Sequence, residues 1–154
     1  MIEGPVPTPI WIGGNASSAL RRAALFGDGW HPLWMPPTEY AKARGTILAI
    51  RRENGRDARF TFSFSAGRTM LVRRPPEGWP PSAPRAAVGS EFRYAPAPWT
   101  AEDGRPGLVG SPDDLISDLR SLAEAGVDHI TLRFGQSTAQ MQRFAEEVMP
   151  AFPG

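Results

Sequence analysis

The sequence predicts an α/β protein built from four consecutive strand–helix units whose strands run parallel. Two observations support this fold class. Four short segments combine apolar and β-favouring residues and are bounded by glycine or other turn residues. Each is followed, once after a delay, by apolar residues at helical spacing. Strands that alternate with helices form parallel sheets with right-handed crossovers. An open sheet and part of a closed barrel both satisfy this pattern.

The first two units lie before residue 55. "PIWIGG" predicts a strand, and Asn15 then occupies the N-cap position of a helix that stops at Gly27. The core face of this helix is predicted to be Ala19, Leu20, Ala23 and Ala24. The second unit is the short segment "GDGWHPLW" followed by a helix with Pro37 at its first position, where a proline is well tolerated.

The third and fourth units are separated by a long insertion. "FTFSFS" alternates strictly, so its phenylalanines point one way and Thr61, Ser63 and Ser65 the other. A proline-rich segment, 74–107, then delays the helix, which begins at Ser111. We predict that this segment is a loop insertion in a single domain spanning 1–154. "VDHITLRFG" is the fourth strand, and Ser137 and Gln140 predict a capping box at the start of the last helix.

Composition excludes several classes of function. The 17 Lys and Arg balance 16 Asp and Glu, so no basic field favours nucleic acid or a membrane surface. Cysteine is absent, which removes disulfides, thiolate metal sites and thiol catalysis. Neither a signal peptide nor an apolar run near the ~20 residues of a membrane span is present. A soluble, cytoplasmic protein is therefore expected.

Three segments resemble a known family. "PIWIGGNASSALRRAALFGDGWHPL", "GSPDDLISDLRSLAEAGVDHITLRF" and "FAEEVMPAF" are similar to the carboxyl-terminal half of luciferase-like monooxygenases, the flavin- or deazaflavin-dependent (β/α)8 family. The resemblance implies half of a TIM barrel, the fifth to eighth strand–helix units. It also implies an oxidoreductase that uses FMN or a deazaflavin coenzyme of the F420 type on a small organic substrate. The family's turn corresponding to Gly13 and Gly14 holds the cofactor phosphate, which implicates Asn15 and Ser17 as well.

The candidate site residues each have a second interpretation from the residues alone. Bare amides at Gly13 and Gly14 above a helix N-terminus suit a phosphate, but the glycines could simply permit the turn. His31 could contact cofactor or substrate or carry a proton, or be a hydrogen-bonded histidine of the rim. Arg133 could bind an anion or form a salt bridge with a neighbouring strand or partner chain. His129, at the start of its strand, is predicted to be structural.

Half a barrel would leave two strand edges unpaired. Unpaired backbone groups are costly and promote association, so we expect a homodimer that closes eight strands. A different polypeptide, or the proline-rich segment folding over the exposed edge, would meet the same need. Because the family's first half is missing from this sequence, a second hypothesis is a non-catalytic dimeric module that binds an anionic ligand or none.

Overall fold

The computed structural model describes residues 8–33, 35–56, 58–71, 108–135 and 137–153. The proline-rich segment 74–107 lies outside these residues, so the structure does not test whether it is a loop insertion.

Strands and helices alternate along the described chain, as predicted, with one additional strand. β1 (Trp11–Gly13) is followed by α1 (Ser17–Phe26), and β2 (Gly29–His31) by α2 (Pro37–Glu53). β3 (Thr61–Leu71) and β4 (Leu108–Gly110) precede α3 (Pro112–Glu124), and β5 (His129–Arg133) precedes α4 (Thr138–Glu147) and a 3₁₀ turn (Met149–Ala151). The four predicted strands are present in their predicted order. The three-residue β4 was not predicted; it directly follows the proline-rich segment.

All strand pairs are parallel, and β3 is the strand on which the sheet is organised. The order runs β1, β2, β3, and both β4 and β5 pair with β3. β5 aligns His129 with Ser63, while β4 aligns Leu108 with Thr69 further along the same strand. The result is a parallel α/β sheet, as the strand–helix alternation predicted.

One face of the sheet carries the core. Trp30 of β2 and Phe62 and Phe64 of β3 are buried against the helices. The strands also contribute Leu71 and Leu108, and Val148 follows α4. The large members from the helices are Leu20, Tyr40, Ile47, Leu115, Leu122 and Phe144. The helix faces follow the predicted spacing, since Ala19, Leu20, Ala23 and Ala24 are the buried residues of α1.

The opposite face of the sheet, which we call the open face, carries the alternate residues. It comprises Trp11, Gly29, His31, Thr61, Ser63, Ser65, His129, Thr131 and Arg133. The side chains of β5 on this face are exposed, whereas Ile130 and Leu132 are half-buried against the core. Most polar groups of the strands therefore lie on the open face.

A β-bulge in β3 changes which residues face the core. The pairing of β3 with β5 is regular at Ser65 and resumes at Arg68 with a shifted register, and Gly67 between them has φ 57°. An extra residue reverses the alternation, so Thr69 and Leu71 are buried after the bulge where Phe62 and Phe64 were before it. The regular alternation predicted for this strand therefore holds only as far as the bulge.

Two predicted helix caps differ from the structure. The N-cap of α1 is Ala16 and has no side-chain cap, because the amide of Asn15 donates instead to the backbone carbonyl of Leu33. At α4, Ser137 accepts the predicted hydrogen bond from the backbone N–H of Gln140. The Gln140 side chain, however, pairs with both backbone groups of Leu71, at 2.7 and 3.2 Å. The capping box is therefore half formed, and Gln140 extends the hydrogen bonding of β3.

Candidate functional site

The turn between β1 and α1 is shaped by two glycines. Gly14 has φ 105°, a conformation that residues with a side chain rarely adopt, and a Cβ there would lie 3.1 Å from the Cβ of Ala19. Gly13 has no such constraint, since its nearest neighbour would be the His31 carbonyl oxygen at 3.5 Å. The turn requires glycine at position 14, whereas at position 13 a small side chain would fit.

This turn is held in place from β2 and the residues after it. The indole N–H of Trp30 donates to the carbonyl of Gly14 at 2.9 Å, and the Asn15 amide donates to the carbonyl of Leu33. Ser17 is the first residue of α1 and is exposed. Because the first N–H groups of a helix have no partner within it, the turn presents donors and a hydroxyl to solvent at the carboxyl end of β1.

His31 lies beside this turn on the open face. It pairs with Gly13 across β1 and β2, and its Nδ1 lies 2.8 Å from the hydroxyl oxygen of Ser63. Burial, and secondarily the positive charge that His129 can carry, lower the pKa of His31 below its usual 6.5. The imidazole is therefore largely neutral near pH 7 and can accept a proton.

His129 is closer to His31 than its sequence position predicts. Ser63 bonds to His31 and pairs with His129, so the first residue of β5 lies level with the last residue of β2. The indole of Trp11 contacts both rings, at centroid distances of 6.2 Å from His31 and 5.2 Å from His129. As the first residue of its strand, His129 was predicted to lie at the end of the sheet opposite to His31. The stagger between neighbouring strands instead brings it level with the end of β2.

Arg133 lies apart from His31. It is exposed at the end of β5, four residues after His129, which corresponds to about 13 Å along a strand. Its backbone N–H donates to the hydroxyl of Thr69 at 3.4 Å. The structure thus brings together Gly13, Gly14, Asn15, Ser17 and His31 and leaves Arg133 at a separate level of the open face. Their roles in binding and catalysis stay predictions.

Trp11 and Ser63 also belong to this cluster, although neither was predicted to. The polar alternation of Thr61, Ser63 and Ser65 was visible, but the strand register that carries Ser63 to His31 was not. Within the described segments, no group of three or more His, Asp or Glu side chains could hold a metal ion. In the same part of the chain, no helix has both the length and the apolar character needed to cross a bilayer.

Comparison with known proteins identifies the family. The model of the luciferase-like monooxygenase family matches residues 2–80, just over half of the chain. The chain therefore belongs to the luciferase-like monooxygenase family, as the sequence resemblance predicted. Among curated proteins, none matches the sequence.

Solved structures of similar fold include enzymes that use F420 or contain FMN. An F420-dependent secondary alcohol dehydrogenase with an F420–acetone adduct has a TM-score of 0.68 and 15% identity over 97% of this chain and 50% of that one. The coenzyme F420-dependent tetrahydromethanopterin reductase from Methanopyrus kandleri has a TM-score of 0.64 and 15% sequence identity. The match covers 94% of this chain and 51% of the reductase. A riboflavin lyase with modified FMN and riboflavin has a TM-score of 0.61 and 17% sequence identity. The match covers 91% of this chain and 41% of the lyase.

These similarities show the fold, a parallel α/β arrangement like that of luciferase-like TIM barrels. At such low identity they show nothing finer. The chain spans about half the length of the structures that it matches.

Proposed function

We propose that this chain forms the cofactor-phosphate-binding part of a flavin- or deazaflavin-dependent oxidoreductase of the monooxygenase family. The observation that carries the proposal is the Gly13–Gly14 turn. It combines a positive φ at Gly14, a glycine backbone at Gly13 and the N-terminus of α1, a combination suited to an anionic phosphate.

The residues at the turn fit a phosphate group. Exposed Ser17 offers a hydroxyl, and the first amides of α1 point out of the helix. The side-chain amide of Asn15 donates to the carbonyl of Leu33, so Asn15 fixes the shape of the turn. A bound FMN or F420-type coenzyme would supply hydride transfer or oxygen insertion on a small organic substrate.

His31 is the candidate for proton transfer in this site. Its lowered pKa favours the neutral form, and the hydrogen bond with Ser63 holds its ring next to the glycine turn. Arg133, on the same face but further along β5, is the candidate for binding an anionic group of the substrate. Neutral His31 would accept a proton, and the guanidinium of Arg133 would orient the substrate.

We further propose that the fold is half of a (β/α)8 barrel, corresponding to its fifth to eighth units, and that two copies close it. The core strands are parallel, the helices cover one face, and the open face carries exposed polar side chains. In the described residues, β1 and β5 each pair with one strand only. Pairing β5 of one copy with β1 of the next would satisfy both edges, with more than about 2,000 Å² buried in total.

Cofactor binding is tested by titrating the chain with FMN and with the deazaflavin coenzyme, using cofactor fluorescence. We expect Gly14→Ala to weaken binding by about tenfold or more, because its φ must change and the first amides of α1 move with it. The matched control is Gly55→Ala, which also replaces a glycine of positive φ but has open space and lies after α2. Equal affinity of the two variants, or no binding of either cofactor by the parent chain, would refute the phosphate assignment.

Dimerisation is tested separately by light scattering on a size-exclusion column. A mass of twice the 16.8 kDa of one chain supports the closed barrel. A monomer at micromolar concentration contradicts the homodimer. A dimer that binds no cofactor would favour the alternative, a non-catalytic half-barrel module.

A further inference from the structure

A cavity lies at the other end of the strands from the glycine turn. A surface cavity of about 440 Å³ is formed by α2, the start of β3 and the residue before β5. Its lining comprises Arg44, Leu48, Arg51, Arg52, Arg56, Ala58, Phe60, Phe62 and Asp128. We call it the arginine cavity. Phe60 and Phe62 place it at the amino end of β3, whereas the glycine turn follows the carboxyl end of β1.

Two of its arginines lie over aromatic rings. The guanidinium carbon of Arg44 lies 4.9 Å from the centre of the Phe62 ring, and that of Arg51 lies 4.4 Å from the centre of the Phe60 ring. The face of an aromatic ring attracts a guanidinium and leaves its N–H groups able to donate. The two rings are themselves packed edge to face at 4.9 Å. Phe60 and Phe62 thus help to hold the guanidinium groups of Arg51 and Arg44 beside the arginine cavity.

The cavity contains donors that the protein does not satisfy. The Nε atoms of Arg44 and Arg56 are buried and have no hydrogen-bond partner. Arg51, which is 4% exposed, donates to the carbonyls of Ala24 and Ala58. These hydrogen bonds hold one wall of the arginine cavity in place. Buried donors without an acceptor are rare and costly, and a bound anion beside these arginines would offset part of that cost.

The charge of the cavity favours an anion. Four guanidinium groups face one carboxylate, Asp128, and that carboxylate already accepts the backbone N–H of Phe62 at 2.9 Å. Guanidinium groups bind phosphate oxygens through paired N–H donors. The volume of about 440 Å³ lies within the range of small-molecule sites.

From these observations we propose that the arginine cavity binds a small phosphate-bearing metabolite. Its phosphate oxygens accept from guanidinium N–H groups of Arg44 and Arg56, and Arg52, which is exposed, contributes charge at the rim. This site is separate from the glycine turn and does not depend on the proposed oxidoreductase function.

The test is isothermal titration of the 154-residue chain with inorganic pyrophosphate at constant ionic strength. We expect saturable binding that weakens about tenfold or more in the Arg44→Gln/Arg56→Gln double variant. Arg52→Glu, an exposed change that leaves the fold intact, should weaken binding several-fold. Arg22→Glu is the matched control, since it makes the same charge change on an exposed arginine of α1 outside the cavity.

Two results would overturn the proposal. The first is the absence of saturable heat with pyrophosphate at millimolar concentration. The second is an equal loss of affinity in Arg52→Glu and Arg22→Glu, because this would show that pyrophosphate responds to the net charge of the protein and not to the arginine cavity. Should the double variant fail to fold, this comparison of the two exposed variants decides the question.

Discussion

Gly29 in β2 leaves room for the indole of Trp11 on the open face. A Cβ at position 29 would lie 2.6 Å from Cδ1 of Trp11 and 2.8 Å from the carbonyl oxygen of Thr61. Both distances are below any normal carbon contact, so Gly29→Ala requires the structure to shift.

The two contacts differ in how easily they can be relieved. Trp11 is 36% exposed, so its indole can move aside. The carbonyl of Thr61 belongs to the backbone of β3, which pairs with β2 at this position, and it moves only if the strands separate. Overpacking of this kind costs about 2 kcal/mol of unfolding free energy, which lowers the melting temperature by about 4–8 °C.

Thermal and urea unfolding of Gly29→Ala measure this cost. The control is Gly45→Ala in α2, where a Cβ meets nothing within 4 Å, so the better helix former should stabilise by about 0.5–1 kcal/mol. In Gly29→Ala/Trp11→Leu, only part of the lost stability should return, because the clash with the Thr61 carbonyl remains. Unchanged stability of Gly29→Ala would refute this reasoning, and full recovery in the double variant would refute the role of the carbonyl.

Two further predictions concern contacts between distant residues. The pKa of His31 is lowered by burial and by His129, so its neutral form is favoured in the folded state. Stability from this source is complete above the unfolded pKa of about 6.5 and is lost as pH falls below it. The His31→Gln variant should therefore lose less stability than the parent chain as the pH falls below about 6.5. The measurement is the urea unfolding midpoint as a function of pH, and the same pH profile in variant and parent would contradict this prediction. Gln140→Leu leaves the backbone N–H of Leu71 without its partner and should cost about 1–3 kcal/mol. Gln142→Leu, which removes an exposed bond on the same helix, should change the unfolding free energy by less than about 0.5 kcal/mol, and a similar loss in both variants would show that the Leu71 contact has no special weight.

Helix limits could be predicted because their signals lie within a few residues. α1 ends before its predicted stop at Gly27, α2 begins at Pro37, and Ser111 caps α3 through a capping box with Asp114. Each depends on dihedral preferences and hydrogen bonds inside one helical turn.

The amino-acid sequence by itself determined the order of strands and helices, the family and the glycine turn, because periodicity, caps and turns are local properties. The tertiary structure decided which side chains meet. His31 contacts Ser63 across 32 positions and Gln140 binds Leu71 across 69, and the bulge at Gly67 resets which residues of β3 face the core. Strand stagger and helix packing set these contacts, and both depend on the whole chain closing around one core.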